Sequence, residues 1–292
     1  MLLIEQLQAE TFPPGEQLLV DYILEHTEDI HQLSASALAQ LTHTNPTSLV
    51  RIAKKLGYVG WSDLKEALRE EWLYLNSHFT AVDANQPFTA TDSPLRIASK
   101  IASLEQNTIQ DTLSLLEPSD LAQAQHFLTE AQEIIVFAGH SNGMVAREFV
   151  SRMRRIGFKI ILTDIYDYSY YEAYHSNPDT CAIIISYSGE NLHFVECLDI
   201  LKQNGAKTIS LTSIGANSIS TRADCSLKIT TREKLYSKIA NFTSSTSIIY
   251  LLNVLYALAF TVRYETNLAH IQRTGRRFDQ RVSTVRLIQE DE

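Results

Sequence analysis

Cysteine is scarce and unpatterned in this chain. Cys181, Cys197 and Cys225 are odd in number and lack CxxC or histidine spacing, which argues against a disulfide framework and a structural zinc, and predicts buried free thiols. Positive charge is also in deficit: 25 Lys and Arg face 34 Asp and Glu, a net charge of −9. A broadly basic surface for nucleic acid is therefore not expected, and any DNA contact has to come from a local patch. Uninterrupted apolar runs of membrane-spanning length are missing; the longest candidate, residues 248–262, contains Asn253 and reads as a buried core helix. The first residues, MLLIEQLQAE, carry acids where a secretion signal has a basic region, so a cytoplasmic protein is expected. No pattern calls for a metal, a nucleotide cofactor or a membrane. The 292 residues, 45% hydrophobic, suffice for a sizeable core divided between two domains.

What is present begins with residues 34–57, SASALAQLTHTNPTSLVRIAKKLG. Ala37, Leu38 and Leu41 give residues 36–41 an apolar helical face, and residues 42–45 read as a tight turn. Asn45 is a good N-cap, and Pro46 suits the first helical position, where its missing N–H costs nothing. Along the second helix Leu49, Ile52, Ala53 and Leu56 form one stripe, Thr47, Ser48, Arg51, Lys54 and Lys55 project elsewhere, and Gly57 ends it. One face packs and the other is free to enter a groove, as in a DNA-reading helix-turn-helix. Residues 1–78 hold five Lys and Arg against eleven Asp and Glu, a net charge of −6. All five cations fall between Arg51 and Arg69, so one positive face remains available, with modest affinity per protomer and a need for dimerisation.

Residues 61–75 read as a further amphipathic helix, and residues 76–94, polar with two prolines, as a linker. A long helix follows over 95–116, then another over 120–131 capped by Ser119. From Glu133 short apolar runs (134–138, 159–163, 181–185, 208–211, 227–229) alternate with helical stretches (144–156, 192–203, 219–223, 241–264) and a Tyr-rich segment holding Tyr166, Tyr168, Tyr170, Tyr171 and Tyr174. That alternation predicts a mostly parallel five-stranded sheet flanked by helices, with ligands beyond the carboxyl ends of its strands. Two strand ends offer hydroxyls and backbone N–H groups suited to an anion: GHSNG, with Ser141 and Asn142 ahead of a helix, and SYSGEN, residues 186–191. Turn capping uses the same residue types. The arginine-rich tail (Arg273, Arg276, Arg277, Arg281, Arg286), with near-helical spacing interrupted by Gly275, reads as a solvated terminal helix that helps the second domain oligomerise, the alternative being added electrostatic contacts to DNA.

The N-terminal stretch GEQLLVDYILEHTEDIHQLSASALAQ with PTSLVRIAKKLGYVGWSDLK resembles the RpiR-type transcriptional regulators, and GHSNG and SYSGEN resemble the sugar isomerase (SIS) fold joined to them. The resemblance covers nearly the whole chain. It implies an all-α helix-turn-helix domain (1–78), a linker (79–94) and an α/β SIS domain (95–292). Thr47, Ser48 and Arg51 would face base edges, with Lys54 and Lys55 nearer the phosphates. Ser141, Ser186 and Ser188 would hold a sugar phosphate, with Asn142, Glu190 and Asn191 close by. The partners implied are a pseudo-palindromic DNA operator and one or three further copies of the chain, the genes those of carbohydrate metabolism, and repression the commoner action. The chain departs from the pattern at His43, where glycine is usual, at Asn191 in place of threonine, and at Asn253 in place of aspartate. The competing class is a SIS-fold sugar-phosphate isomerase, for which Glu190 and His193, or Glu172 and His175, would move the proton.

Overall fold

Three of the short amphipathic segments before residue 78 close into helices where a capping side chain or a proline starts them: Pro14, Ser34, and Asn45 with Pro46. The computed structural model describes residues 3–27, 29–77, 82–163, 166–281 and 285. Residues 78–81 of the expected linker, the side chain of Tyr166 and Arg286 fall outside the described residues. The chain divides into two compact units: Met1–Leu115 with Ser213–Thr221 and Lys228–Thr246, and Leu116–Thr212 with Arg222–Leu227 and Ser247–Glu292.

In the first unit α1 (Leu3–Ala9), α2 (Pro14–Glu25), α3 (Ala35–Leu41), α4 (Pro46–Lys55) and α5 (Trp61–Ser77) gather around one core. Leu19, Val20, Ile23, Leu38, Leu49, Ile52, Leu64 and Leu68 are all fully buried there, with Trp61 and Phe12 closing its edge. Glu71 on α5 accepts from the Leu3 and Ile4 amides (2.6 and 2.9 Å), satisfying two of the donors that the start of α1 cannot pair within the helix. Its burial pushes the carboxyl up, partly offset by those same two bonds.

The second half of the expected linker is ordered. Ala84 and Pro87 are buried, and Asn85 is tied to residues far along the chain: its Nδ2 donates to Arg232 O (3.3 Å), its Oδ1 accepts from Lys234 N (2.7 Å) and its carbonyl accepts from Ile239 N (2.9 Å). Phe88 meets Phe242 edge to face at 6.3 Å. The segment thus lies strapped to the loop that leads into α11 (Phe242–Thr261). In that loop the buried Glu233 carboxylate accepts from Thr243 N, Ser244 N and both their hydroxyls (2.6–3.1 Å) and pairs with Lys238, capping α11. Helix α6 (Pro94–Ser114) follows the strap; its buried Asp111 pairs with Arg232.

The second unit carries most of the sheet, whose strands β1 (Glu133–Ala138), β2 (Ile160–Thr163), β3 (Thr180–Ile185), β4 (Lys207–Ser213) and β5 (Cys225–Ile229) lie in the order β2-β1-β3-β4-β5. β1 pairs parallel with both β2 and β3, and β3 with β4. β1, β3 and most of β4 are buried on both faces, as a sheet covered on both sides requires. The covering helices include α8 (His140–Arg155), α9 (Tyr166–His175) and α10 (Leu192–Gln203). Cys181, Cys197 and Cys225 are free and buried as expected, and burial pushes all three thiols up, Cys197 and Cys225 to about 12. By length and composition α11 could cross a membrane. Its Ile248, Leu251, Leu252, Leu255 and Ala259 are nevertheless buried, and Asn253 accepts from Arg152 of α8 at 2.6 Å. The side chain that stands in place of the family's aspartate therefore bonds two helices.

Several boundaries differ from expectation by a residue or two, and four differences bear on how the chain is built. α7 (Pro118–Glu130) starts two residues early, with Glu117 rather than Ser119 at the N-cap, because Pro118 takes the first helical position. α8 starts at His140 instead of 144. Residues 219–223 form turns, held by Asn217 Oδ1 accepting from Ser220 N (2.8 Å) and Asn217 O from Thr221 N (3.1 Å). The last long helix ends at Thr261, and a separate α12 (Tyr264–Phe278) runs through Gly275 without a break.

Candidate functional site

The helix-turn-helix forms around two matched chain reversals. α3 ends with Thr44 N donating to Ala39 O (2.8 Å) and His43 N to Gln40 O (3.3 Å); α4 ends with Tyr58 N to Ala53 O (2.9 Å) and Gly57 N to Lys54 O (3.1 Å). Both are Schellman closures, which need a left-handed residue at their apex. Gly57 supplies it at φ 86° and His43 at φ 51°. The substitution of His for the usual glycine therefore leaves the turn intact and stores strain in it.

α4 begins as read: Asn45 Oδ1 accepts from Thr47 N (3.0 Å) and from the Thr47 hydroxyl (2.9 Å), with Pro46 at the first position. Leu49, Ile52 and Ala53 are fully buried. Thr47, Arg51, Lys54 and Lys55 lie on the exposed side; Ser48 does not. It is buried and accepts from Arg51 Nη2 at 2.8 Å, so it is not open to a base edge and instead holds the arginine. Arg51 Nε also meets Glu16 Oε1 of α2 at 2.9 Å. Lys55 pairs with Glu10 (3.0 Å), donates to Thr11 O and lies 4.6 Å over the Phe12 ring, which leaves its charge partly neutralised. Lys65 donates to Leu33 O and Arg69 pairs with Glu66, so among the described residues Lys54 alone of the five cations has no hydrogen bond or ion pair.

The second constellation sits at the carboxyl edge of the sheet. The chain leaves β1 to one side for β2 and returns to the other side for β3, so the gap between β1 and β3 is a topological switch point, where open parallel sheets bind ligands. Ala138 and Ile185 are paired in register, which brings the two following loops out side by side. On the first, His140 adopts a left-handed φ of 51° directly after the Gly139 N-cap. Ser141 and Asn142 thus lie inside the first turn of α8, exposed and half-buried respectively, where the helix itself supplies no carbonyls for the backbone amides. On the second, Ser186 N still bonds Leu211 O (3.0 Å), Gly189 turns the chain at φ 67°, and Glu190 N donates to Ser188 Oγ (3.3 Å). Ser186 is buried, Ser188 half-buried and Glu190 exposed. Asn191 caps α10 by accepting from Phe194 N (3.3 Å), leaving its amide nitrogen without a protein partner among the described residues. The starts of α8 and α10 and the hydroxyls of Ser141, Ser186 and Ser188 thus follow two neighbouring strands at the switch point, and these are groups of the kind that bind anions.

The residues of the isomerase reading are dispersed differently. His193, in the first turn of α10, meets Tyr170 of α9 edge-on at 4.3 Å. Tyr170 in turn donates to Glu196, a bond that with burial pushes its phenol up to about 12. His175 is exposed, with Nδ1 2.8 Å from the Tyr171 carbonyl of its own helix. The Tyr170–Glu196 bond had no sequence signal beyond aromatic enrichment, since its partners lie on different helices.

The helix-turn-helix domain model of the rpiR family matches residues 1–73, and that of the SIS domain residues 127–259. An uncharacterised HTH-type transcriptional regulator of Bacillus subtilis is 27% identical over 274 residues, covering 94% of this chain and 95% of its own. Another, from Caldanaerobacter subterraneus, is 24% identical over 275 residues with the same coverage. Among solved structures, the Vibrio vulnificus NanR protein complexed with ManNAc-6P shares the fold, with a TM-score of 0.58 at 23% identity over 94% of this chain and 97% of that one.

Proposed function

Since the chain belongs to the RpiR-type transcriptional regulators, pairing an rpiR-family helix-turn-helix domain with a SIS domain, we propose that it represses carbohydrate-metabolism genes under the control of a sugar phosphate. Residues 1–78 act as the DNA-binding domain, 79–94 as the linker and 95–292 as the effector domain of a cytoplasmic homodimer or homotetramer. Two α4 helices each enter a major groove, Arg51 and Thr47 at base edges and Lys54 at phosphate, on the halves of a pseudo-palindromic operator.

The ligand half is supported by the adjacency, at the switch point, of the two loops that carry Ser141, Asn142, Ser186, Ser188 and Asn191. Their helix-start amides and hydroxyls suit a phosphate, and the exposed Glu190 beside them suits sugar hydroxyls. NanR, which shares the fold, was solved with an amino-sugar phosphate, and that supports the ligand class. The site's output is binding rather than turnover: a domain that reports to DNA needs only differential affinity of the ligand for two states. The strapped segment around Asn85 is the element through which such a difference reaches the DNA-binding helices. A thermal-shift screen against hexose, pentose and amino-sugar phosphates, with product analysis, tests this reading. A ligand at 100 times its Kd adds about 2.7 kcal/mol of stability. Selective stabilisation without turnover is expected; turnover would make the protein an isomerase.

A further inference from the structure

Glu16 is an acid held against the helix proposed to read DNA, a costly place for a negative charge beside phosphate. It lies in the first turn of α2, its side chain 11% exposed, and its Oε1 meets Arg51 Nε at 2.9 Å while the Arg51 side chain stays 65% exposed. From the other side Ser48 Oγ accepts from Arg51 Nη2 at 2.8 Å. Both anchors sit on rigid backbone: Leu19, Val20 and Ile23 of α2 and Leu49, Ile52 and Ala53 of α4 are fully buried. A guanidinium has five N–H donors in a planar fork. Two are engaged here, and the three that remain are all on the terminal nitrogens, the end that pairs with the O6 and N7 of guanine.

Resting on the DNA-binding reading above, we propose that Glu16, with Ser48, is a positioning residue for base readout, fixing Arg51 so that its terminal edge meets one base in one orientation. A floating arginine would settle on any nearby phosphate. The carboxylate behind a pinned one repels the backbone and rewards only the geometry in which the base supplies two acceptors, so it raises the ratio of specific to non-specific binding rather than affinity as such.

The test is selection of bound duplexes from a randomised DNA pool by the full-length chain and by Arg51→Ala, Glu16→Gln and Ser48→Ala, with thermal midpoints measured in parallel. Arg51→Ala marks the base position it reads. Glu16→Gln, nearly isosteric, relaxes preference at that same position about tenfold, leaves other positions sharp, and leaves binding to unselected DNA equal or tighter. Ser48→Ala relaxes the same position and keeps the proposal testable if Glu16→Gln fails to fold. A merely structural ion pair would lower the midpoint without changing any base preference. A sharp parental motif that is indifferent to Arg51, or that both Glu16→Gln and Ser48→Ala leave unchanged, overturns the proposal alone. A parent that enriches no sequence overturns the DNA-binding reading and the proposal with it.

Discussion

Replacing His43 with glycine should make this protein more stable. His43 stands at φ 51°, at the apex of the Schellman closure that ends α3, and its side chain is exposed. An L-residue in the left-handed region costs roughly 1–2 kcal/mol, which glycine avoids. Glycine gives back roughly 0.5–1 kcal/mol through the greater freedom of the unfolded chain. No packing is lost with an exposed ring, so the net gain is about 0.5–1 kcal/mol. The equivalent apex on α4 provides the converse experiment. Gly57 sits at φ 86° with nothing within 4 Å of where a Cβ would lie, so Gly57→Ala meets backbone strain alone and loses about 1 kcal/mol. Urea titration followed by the tryptophans of this unit, Trp61 and Trp72, reads both as shifts of midpoint at constant slope. A His43→Gly variant less stable than the parent would show that the histidine side chain, not the backbone, decides this turn.

Arg51→Ala should weaken specific duplex binding by roughly 1–3 kcal/mol, read by anisotropy at fixed salt, with the chain still folded; unchanged affinity removes Arg51 from the readout. Ser186→Ala with Ser188→Ala should abolish stabilisation by phosphosugars while duplex binding persists, and a normal ligand response would move the phosphate site elsewhere. Asn85→Ala deletes the bonds to Arg232 O and Lys234 N but keeps the backbone bond to Ile239. It should cost about 1–2 kcal/mol of stability and shrink the ligand-induced change in DNA affinity, and full coupling would exclude the strap as its path. Asp224 is held below its ordinary 3.8: burial would raise it, but hydrogen bonds from Lys202 and Thr208 more than offset that. A depressed carboxylate stabilises above its unfolded value and loses that contribution as pH falls through its folded one. Asp224→Asn should therefore destabilise at neutral pH, with the gap closing below about pH 4, as thermal midpoints across pH would show.

Local chemistry was legible where a residue acts on its own neighbours. Asn45, Pro46 and Gly57 fixed both ends of α4 because an N-cap, a first-turn proline and a C-terminal glycine each work within a turn of the helix. The five strands were legible as apolar runs between turn residues. Four features resisted for identifiable reasons. The start of α8 was missed because it depends on a left-handed His140, a conformation its type does not advertise. Ser48 borders the apolar stripe of α4, and its burial is decided by tertiary packing that the helix's own sequence does not contain. Asn191 suits either a ligand or a helix cap by residue type, and only the fold shows that α10 uses its oxygen as the cap. The polar composition around Asn85 read as a free linker because its side-chain partners lie 147 and 149 residues further along the chain.

The central claim, that one chain couples phosphosugar binding to DNA binding, is tested most directly by titrating the full-length protein onto a duplex selected from a random pool, with and without each phosphosugar that stabilises it. At least one such ligand should shift the duplex Kd severalfold and be recovered unchanged as a molecule, and Ser186→Ala with Ser188→Ala should erase the shift but not the binding. A stabilising ligand that leaves the Kd where it was, or that is consumed during the titration, would contradict it.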